Sequence, residues 1–164
     1  MISSCGISEL SSPSSWDTYH NPRYNFEFPY PSNWQALPMP ENLDGQVFRD
    51  PQNPSVEIRG WAKLLEAAVS PTTGVNSSSV ETQLPKSTGC EIASSQPQNF
   101  TTNQGFRGKM QVEIGEQISS MKLTLSQGEV VYNWQGQSKS ETFADYYRLF
   151  YEIASEYRIP TPED

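Results

Sequence analysis

Cysteine and histidine are nearly missing from this chain, which has two of one, Cys5 and Cys90, and a single copy of the other, His20. That set has no recognisable ligand spacing and makes no zinc site. One histidine also limits acid–base chemistry. A Ser-His-Asp arrangement would have to use His20, and the only carboxylate near it in sequence is Asp17. No Gly-x-Ser-x-Gly, P-loop or dinucleotide fingerprint occurs. His20 therefore reads as a surface histidine at a strand entry, and no enzymatic activity is expected. Basic residues are scarce too: 11 against 19 acids, for a formal net charge of −8. Arg107 and Lys109 are the densest basic pair, and no basic patch shows along the sequence. Nucleic acid and anionic membrane surfaces are thus poor partners, and a basic or polar protein surface is a better one. Long apolar runs are absent, so no stretch of about 18 residues reads as a membrane span.

What is present is aromatic. Phe, Trp and Tyr make up 12% of the 164 residues, and each buried ring removes roughly 150–250 Å² from water. A chain of this length is expected to form one domain. The expected division is a flexible N-terminal arm over 1–18, a single domain over 19–160 and a tail over 161–164. No complete signal peptide is present. The start, Ser3-Ser4-Cys5-Gly6, nevertheless has the form of a lipobox end, and the serine-rich stretch from Ser8 to Ser15 has the composition of a tether. Cys5 is therefore the candidate lipidation site, which leaves Cys90 a lone thiol. If neither is modified, the two could pair in an oxidising compartment. An arbitrary cytosolic start at Met1 is the other reading.

The clearest local signal is Tyr24-Asn25-Phe26-Glu27-Phe28, in which Tyr24, Phe26 and Phe28 share one strand face. Pro29 and Pro31 end it or confine it to an edge. Further strands are expected at Gln46–Arg49 and Ser55–Ala62. Val56 and Ile58 share one face of the latter, and Glu57, Arg59 and Trp61 the other. Lys63–Val69 permits a strand or a short helix. From Ser70 to Gln104 the chain is polar and long for a loop, with room for a helix around Ser78–Leu84 and a strand near Cys90–Ala93. Alternation resumes with a strand from Phe106 to Ile114. A hairpin of Ile118–Leu125 and Glu129–Trp134 follows, turning at Ser126-Gln127-Gly128. The last element is a helix over Ser140–Tyr157. Ser138-Lys139-Ser140-Glu141 has the form of a capping box. Phe143, Tyr147, Phe150 and Ile153 form the stripe expected to face the sheet. Arg148 and Glu152 are placed to pair on the wet face. The class is α+β: an antiparallel sheet flanked by helices.

The order of these pieces resembles the PsbP family of photosystem II extrinsic proteins. The matching residues are Tyr24-x-Phe26 running into Tyr30-Pro31-Ser32-Asn33-Trp34, then Gly45-Gln46-Val47-Phe48-Arg49-Asp50 and Ser55-Val56-Glu57-Ile58. Gln127-Gly128-Glu129-Val130-Val131-Tyr132 and the final aromatic helix also fit, while the middle of the chain does not. The resemblance implies an α/β/α sandwich. It also implies, as in cyanobacterial members, a lipid-anchored protein of the thylakoid lumen. The same fold has GTPase-binding and periplasmic branches, so fold alone does not fix function.

Candidate sites are few. Glu41, Asp44 and Asp50 flank the strand at Gln46–Arg49 and could form a weak oxygen-ligand site for calcium or manganese, but they lack the spacing of a dedicated loop and read first as turn residues. Glu113 and Glu116 read as acids on a wet hairpin. Trp61 is expected in the core, because a sandwich covers both faces of its sheet. If that face is open, Arg59 and Trp61 form a typical hot-spot pair for a partner protein. Glu41 and Asp44 are the acidic candidates for partner docking. The functional expectation is a monomeric, non-enzymatic accessory or assembly protein without a cofactor. It would dock on a membrane protein complex such as photosystem II and touch the membrane only through a lipid anchor. The alternatives are a periplasmic ligand- or metal-binding lipoprotein and a soluble GTPase-binding module, the latter cytoplasmic if Met1 is the native start.

Overall fold

Tyr19 brings order to the chain earlier than its composition suggests. The computed structural model describes residues 13–65, 93–94 and 96–162, and its first element is a strand, β1 (Trp16–His20). Residues 16–18, expected in the flexible arm, thus belong to a ladder. The Tyr19 ring lies 6.0, 5.4 and 5.8 Å from those of Phe26, Phe28 and Phe48, which draws the strand into the core. β1 pairs antiparallel with β2 (Glu27–Pro31) in a two-stranded ribbon. β2 begins later than the expected Tyr24 because Asn25 takes a positive φ of 56° in the connecting turn. Pro29 and Pro31 lie within β2, whose ladder runs on one side only, so their missing N–H groups are tolerated.

The remaining strands form one eight-stranded sheet. They are β3 (Gln35–Ala36), β4 (Gly45–Arg49), β5 (Glu57–Leu64), β6 (Ala93–Ser94), β7 (Gln98–Thr101), β8 (Arg107–Ile114), β9 (Ile118–Gln127) and β10 (Val130–Lys139). Spatial order is β3-β4-β5-β10-β9-β8, with β6 and β7 both on β8, and every pairing is antiparallel. The class is α+β, as expected. The β9–β10 hairpin runs ten residues on each side, longer than its apolar core suggested, and turns at Gly128-Glu129. Gly128 has φ 59°, a conformation open to glycine at the first central position of a two-residue turn. The expected helix at Ser78–Leu84, the end of the Lys63–Val69 segment and Cys90 lie outside the described residues, as do Cys5 and its serine-rich stretch.

The helix α1 (Ser140–Ser155) closes the core. Its start differs from the expected capping box, because Ser138 is drawn into β10 and buried. The helix entry is instead tied down by hydroxyls. Ser140 Oγ donates to Gly115 O at 2.6 Å and lies 2.8 Å from Ser119 Oγ, while Thr142 Oγ1 donates to Lys139 O at 3.2 Å. The buried stripe is Phe143, Tyr146, Phe150, Ile153 and Ala154; Tyr146 takes the place expected for Tyr147, which is 43% exposed. Among the described residues the ion pairs are His20–Glu27 and Arg49–Glu57, so Arg148 and Glu152 do not pair.

The ribbon and α1 lie on the same face of the sheet. Phe26 and Phe28 stack on Tyr157 at 5.6 and 6.0 Å, just past the helix, and Phe26 meets Tyr132 of β10 at 6.2 Å. Phe150 meets Trp134 of β10 edge-on at 6.1 Å. This face of the sheet is the core, with Ile58, Met121, Leu123, Leu125 and Trp134 all buried. Among the described elements, none packs on the opposite face.

Candidate functional site: the open face of the sheet

Because side chains alternate along a strand, every residue that turns a neighbour into the core places itself outside. On β5 the inward residues are Ile58, Gly60 and Ala62, all buried. Gly60 is needed there: a Cβ would stand within 2.9 Å of Phe28 Cδ1. Arg59 and Trp61 therefore point outward, and Trp61 is half-buried rather than part of the core. The expectation of a core tryptophan fails because the layers on the described elements cover one face only. Arg59 Cζ sits 4.7 Å from the centroid of the Trp61 ring, a cation–π contact that gives the pair a defined shape before any partner arrives. Opposite Trp61 in the ladder is Gly45, where a Cβ would come within 2.6 Å of Trp61 Cβ.

The ladder registers extend this surface across the sheet. Trp61 stands beside Asn133, then Thr124, Lys109 and Asn99; Arg59 stands beside Gln135, then Lys122 and Gln111. Glu57 stands beside Gln137, and Lys63 beside Val131. Cations scattered in sequence thus share one face: Arg59, Lys63, Arg107, Lys109 and Lys122. Against them stand Glu113 and Glu57, and the latter is neutralised by Arg49, whose Nε donates to Glu57 Oε1 at 2.8 Å. A basic patch therefore exists, although none shows in the linear sequence. The signal was available in the alternation of Arg107 and Lys109 with Gly108 and Met110, but only the pairing of β8, β9, β10 and β5 adds Lys122, Arg59 and Lys63 to it. Between the cations lie amides, which both donate and accept hydrogen bonds.

The other singled-out residues do not converge on this face. Asp44 lies on the ribbon side, where its charge helps raise the pKa of Tyr19 behind the larger effect of burial. Its backbone carbonyl accepts from Ala62 N at 2.9 Å and its carboxylate from Asn42 Nδ2 at 2.8 Å. Glu41 is exposed on the preceding turn. Asp50 is buried at the far end of β4, where it accepts from Gln52 N at 2.9 Å and from Tyr146 Oη at 3.2 Å. Glu41, Asp44 and Asp50 are not brought together, and no group of three or more potential metal-ligating side chains forms among the described residues. His20 Nδ1 faces Glu27 Oε2 at 3.6 Å across the ribbon. Near it, Trp16, Glu27, Glu152, Glu156 and Arg158 line a shallow cleft of about 370 Å³ between ribbon and helix. Glu113 stands in β8 and Glu116 is exposed in the turn that follows. No described helix is long and apolar enough to cross a membrane.

A single antiparallel sheet with a helix and a short ribbon on one face defines an α+β protein of PsbP-like fold. One solved structure that shows this is cyanobacterial PsbP (CyanoP) from Synechocystis sp. PCC 6803. It superposes with a TM-score of 0.59 at 14% identity, covering 95% of this chain and 99% of that one. A structure from Bacteroides thetaiotaomicron VPI-5482 aligns with a TM-score of 0.40 at 14% identity, over 85% of this chain and 46% of that one, a likeness too low to argue from. No family model matches the chain, and no curated protein does.

Proposed function

We propose that this chain is a non-enzymatic accessory or assembly protein that docks on a membrane protein complex, photosystem II being the complex the fold suggests. The observation that carries the proposal is the end-to-end correspondence with CyanoP, which leaves little of either chain unmatched. Acylation of Cys5 would hold such a protein at a thylakoid lumenal or periplasmic membrane face, with no cofactor required. Arg59 and Trp61 supply the kind of preshaped, partly desolvated pair on which protein interfaces concentrate their energy. The test is affinity purification of the full-length protein from its own membranes, followed by identification of what accompanies it. Photosystem II subunits in stoichiometric amount are the expected result. Recovery of the protein alone, or a robust turnover in a hydrolase screen that disappears in His20→Ala, overturns the proposal.

A further inference from the structure

The chain carries a net charge of −8, yet the face of its sheet on which no described element packs is basic. Arg59, Lys63, Arg107 and Lys109 are exposed on it, and among the described residues no carboxylate is in ion-pair contact with any of them. Glu57, paired with Arg49, and Glu113 share the face, while Glu141, Asp145, Glu152 and Glu156 lie on or beside α1 and Asp17 and Glu27 on the ribbon. We propose that this open sheet face is a docking surface for an acidic protein surface, with the Arg59–Trp61 stack as its anchor. The inference rests on the docking function proposed above and names the partner's chemistry.

Three observations favour a protein over the other polyanions. Asn133, Gln135 and Gln111 stand between the cations. Asn133 Oδ1 already accepts from Thr124 Oγ1 at 3.2 Å, but the carbonyls of Gln135 and Gln111 are acceptors that suit a partner with its own backbone and side-chain donors; a phosphate surface only accepts and leaves those two carbonyls unmet. Trp61 under Arg59 presents the two residue types most enriched among protein hot spots. Lastly, a membrane or a duplex extends well past the patch and would meet the acidic remainder of the molecule within about one Debye length of 8–10 Å. A locally acidic protein face does not. Five strands at about 4.8 Å spacing and some seven residues at about 3.3 Å each make a patch of roughly 19 by 20 Å. That is at the small end for protein interfaces and points to a reversible, salt-sensitive complex.

The experiment uses the full chain and three probes: purified photosystem II complexes, a poly-glutamate peptide, and vesicles of phosphatidylglycerol with phosphatidylcholine. Binding is measured across a salt series for the wild type, for Arg59→Glu with Lys63→Glu, and for Lys109→Glu with Lys122→Glu, each checked for unchanged melting. The second pair guards against a folding defect in the first. The expected result is wild-type binding to poly-glutamate that weakens with salt and falls about tenfold or more in either double variant, with the vesicles left unbound. Equal binding by the folded double variants, or a preference for the vesicles, overturns the inference. If the complexes bind the wild type and both double variants alike, the docking function stands and this face does not. If poly-glutamate binding behaves as expected but the complexes never bind, the face stands and photosystem II does not.

Discussion

At the residue scale, Asn21 is the side chain on which most local order depends. It is fully buried, and all its hydrogen-bonding capacity is used. Nδ2 donates to Tyr19 Oη and Leu43 O, each at 3.0 Å, and Oδ1 accepts from Arg23 N at 3.0 Å and Tyr24 N at 2.7 Å. Asn21→Ala takes a partner from the buried Tyr19 hydroxyl and from three part-buried backbone groups and is expected to cost about 1–3 kcal/mol in denaturant unfolding; a loss under ~0.5 kcal/mol would show that water replaces the amide. Tyr157 is the opposite case. Its hydroxyl is buried without a partner among the described residues. Burial first, then the neighbouring Tyr132 and Tyr19, hold its pKa well above the ordinary 10.0. Unfolded, Tyr157 gives up its proton near that ordinary value; folded, it keeps it. The native state then binds more protons, so stability is full below that pH and falls as pH rises past it. Tyr157→Phe removes both the orphaned hydroxyl and the titration. It should raise stability at neutral pH by up to about 1 kcal/mol and soften the alkaline loss, a pattern read from melting curves on both sides of the ordinary tyrosine pKa. A neutral-pH loss of more than ~1 kcal/mol would show the hydroxyl to be satisfied.

At the scale of elements, the contact of α1 with β10 and β9 decides whether the domain holds. Phe150 is fully buried, and its ring lies over Gly136, where a Cβ would stand 2.7 Å from Phe150 Cγ and 2.8 Å from Trp134 Cη2. Phe150→Ala should cost about 3–5 kcal/mol through lost burial and a cavity. Gly136→Ala should cost about 1–3 kcal/mol through overpacking at the same spot. If either change leaves the unfolding midpoint in place, the helix does not pack as described. Elements with a strong period were legible in the sequence: β8, the β9–β10 hairpin, β4 and α1 all lie where alternation or helical spacing put them. What local pattern could not carry was set by tertiary contact. Tyr19 recruits β1 from a stretch with the composition of an arm. Ser138 reads as a cap, but the ladder with β9 takes it into β10. Tyr146 and Tyr147 are adjacent and chemically alike, and only the tilt of the helix on the sheet chooses between them. The Arg59–Trp61 pair was legible as a pair; its exposure was not, because whether a sheet face is covered is not written in its own strand.

For the whole molecule, the electrostatic prediction concerns the acidic residues outside the sheet face. Glu41→Lys with Asp44→Lys, on the loop before β4, should leave binding to photosystem II complexes intact or speed it, since these residues lie off the open face. The expectation from composition alone, a basic partner, demands the reverse: weaker binding that recovers as screening shortens to about 3 Å at 1 M salt. Association rates for this variant across a salt series decide between the two. His20→Ala should change neither outcome, because His20 faces Glu27 on the ribbon and stands apart from that face.

The excess of cations over carboxylates on one side of the sheet, and of carboxylates over cations on α1 and the ribbon at the other, gives the described part of the molecule an electric dipole. A particle with such a dipole does not approach a charged surface at random. It is turned in flight, so that an acidic target meets the sheet face first and a basic one meets the helix. Net charge, the quantity most easily read from a sequence, is then a poor guide to which partners this protein encounters. At low ionic strength its orientation selects among them before any contact is made.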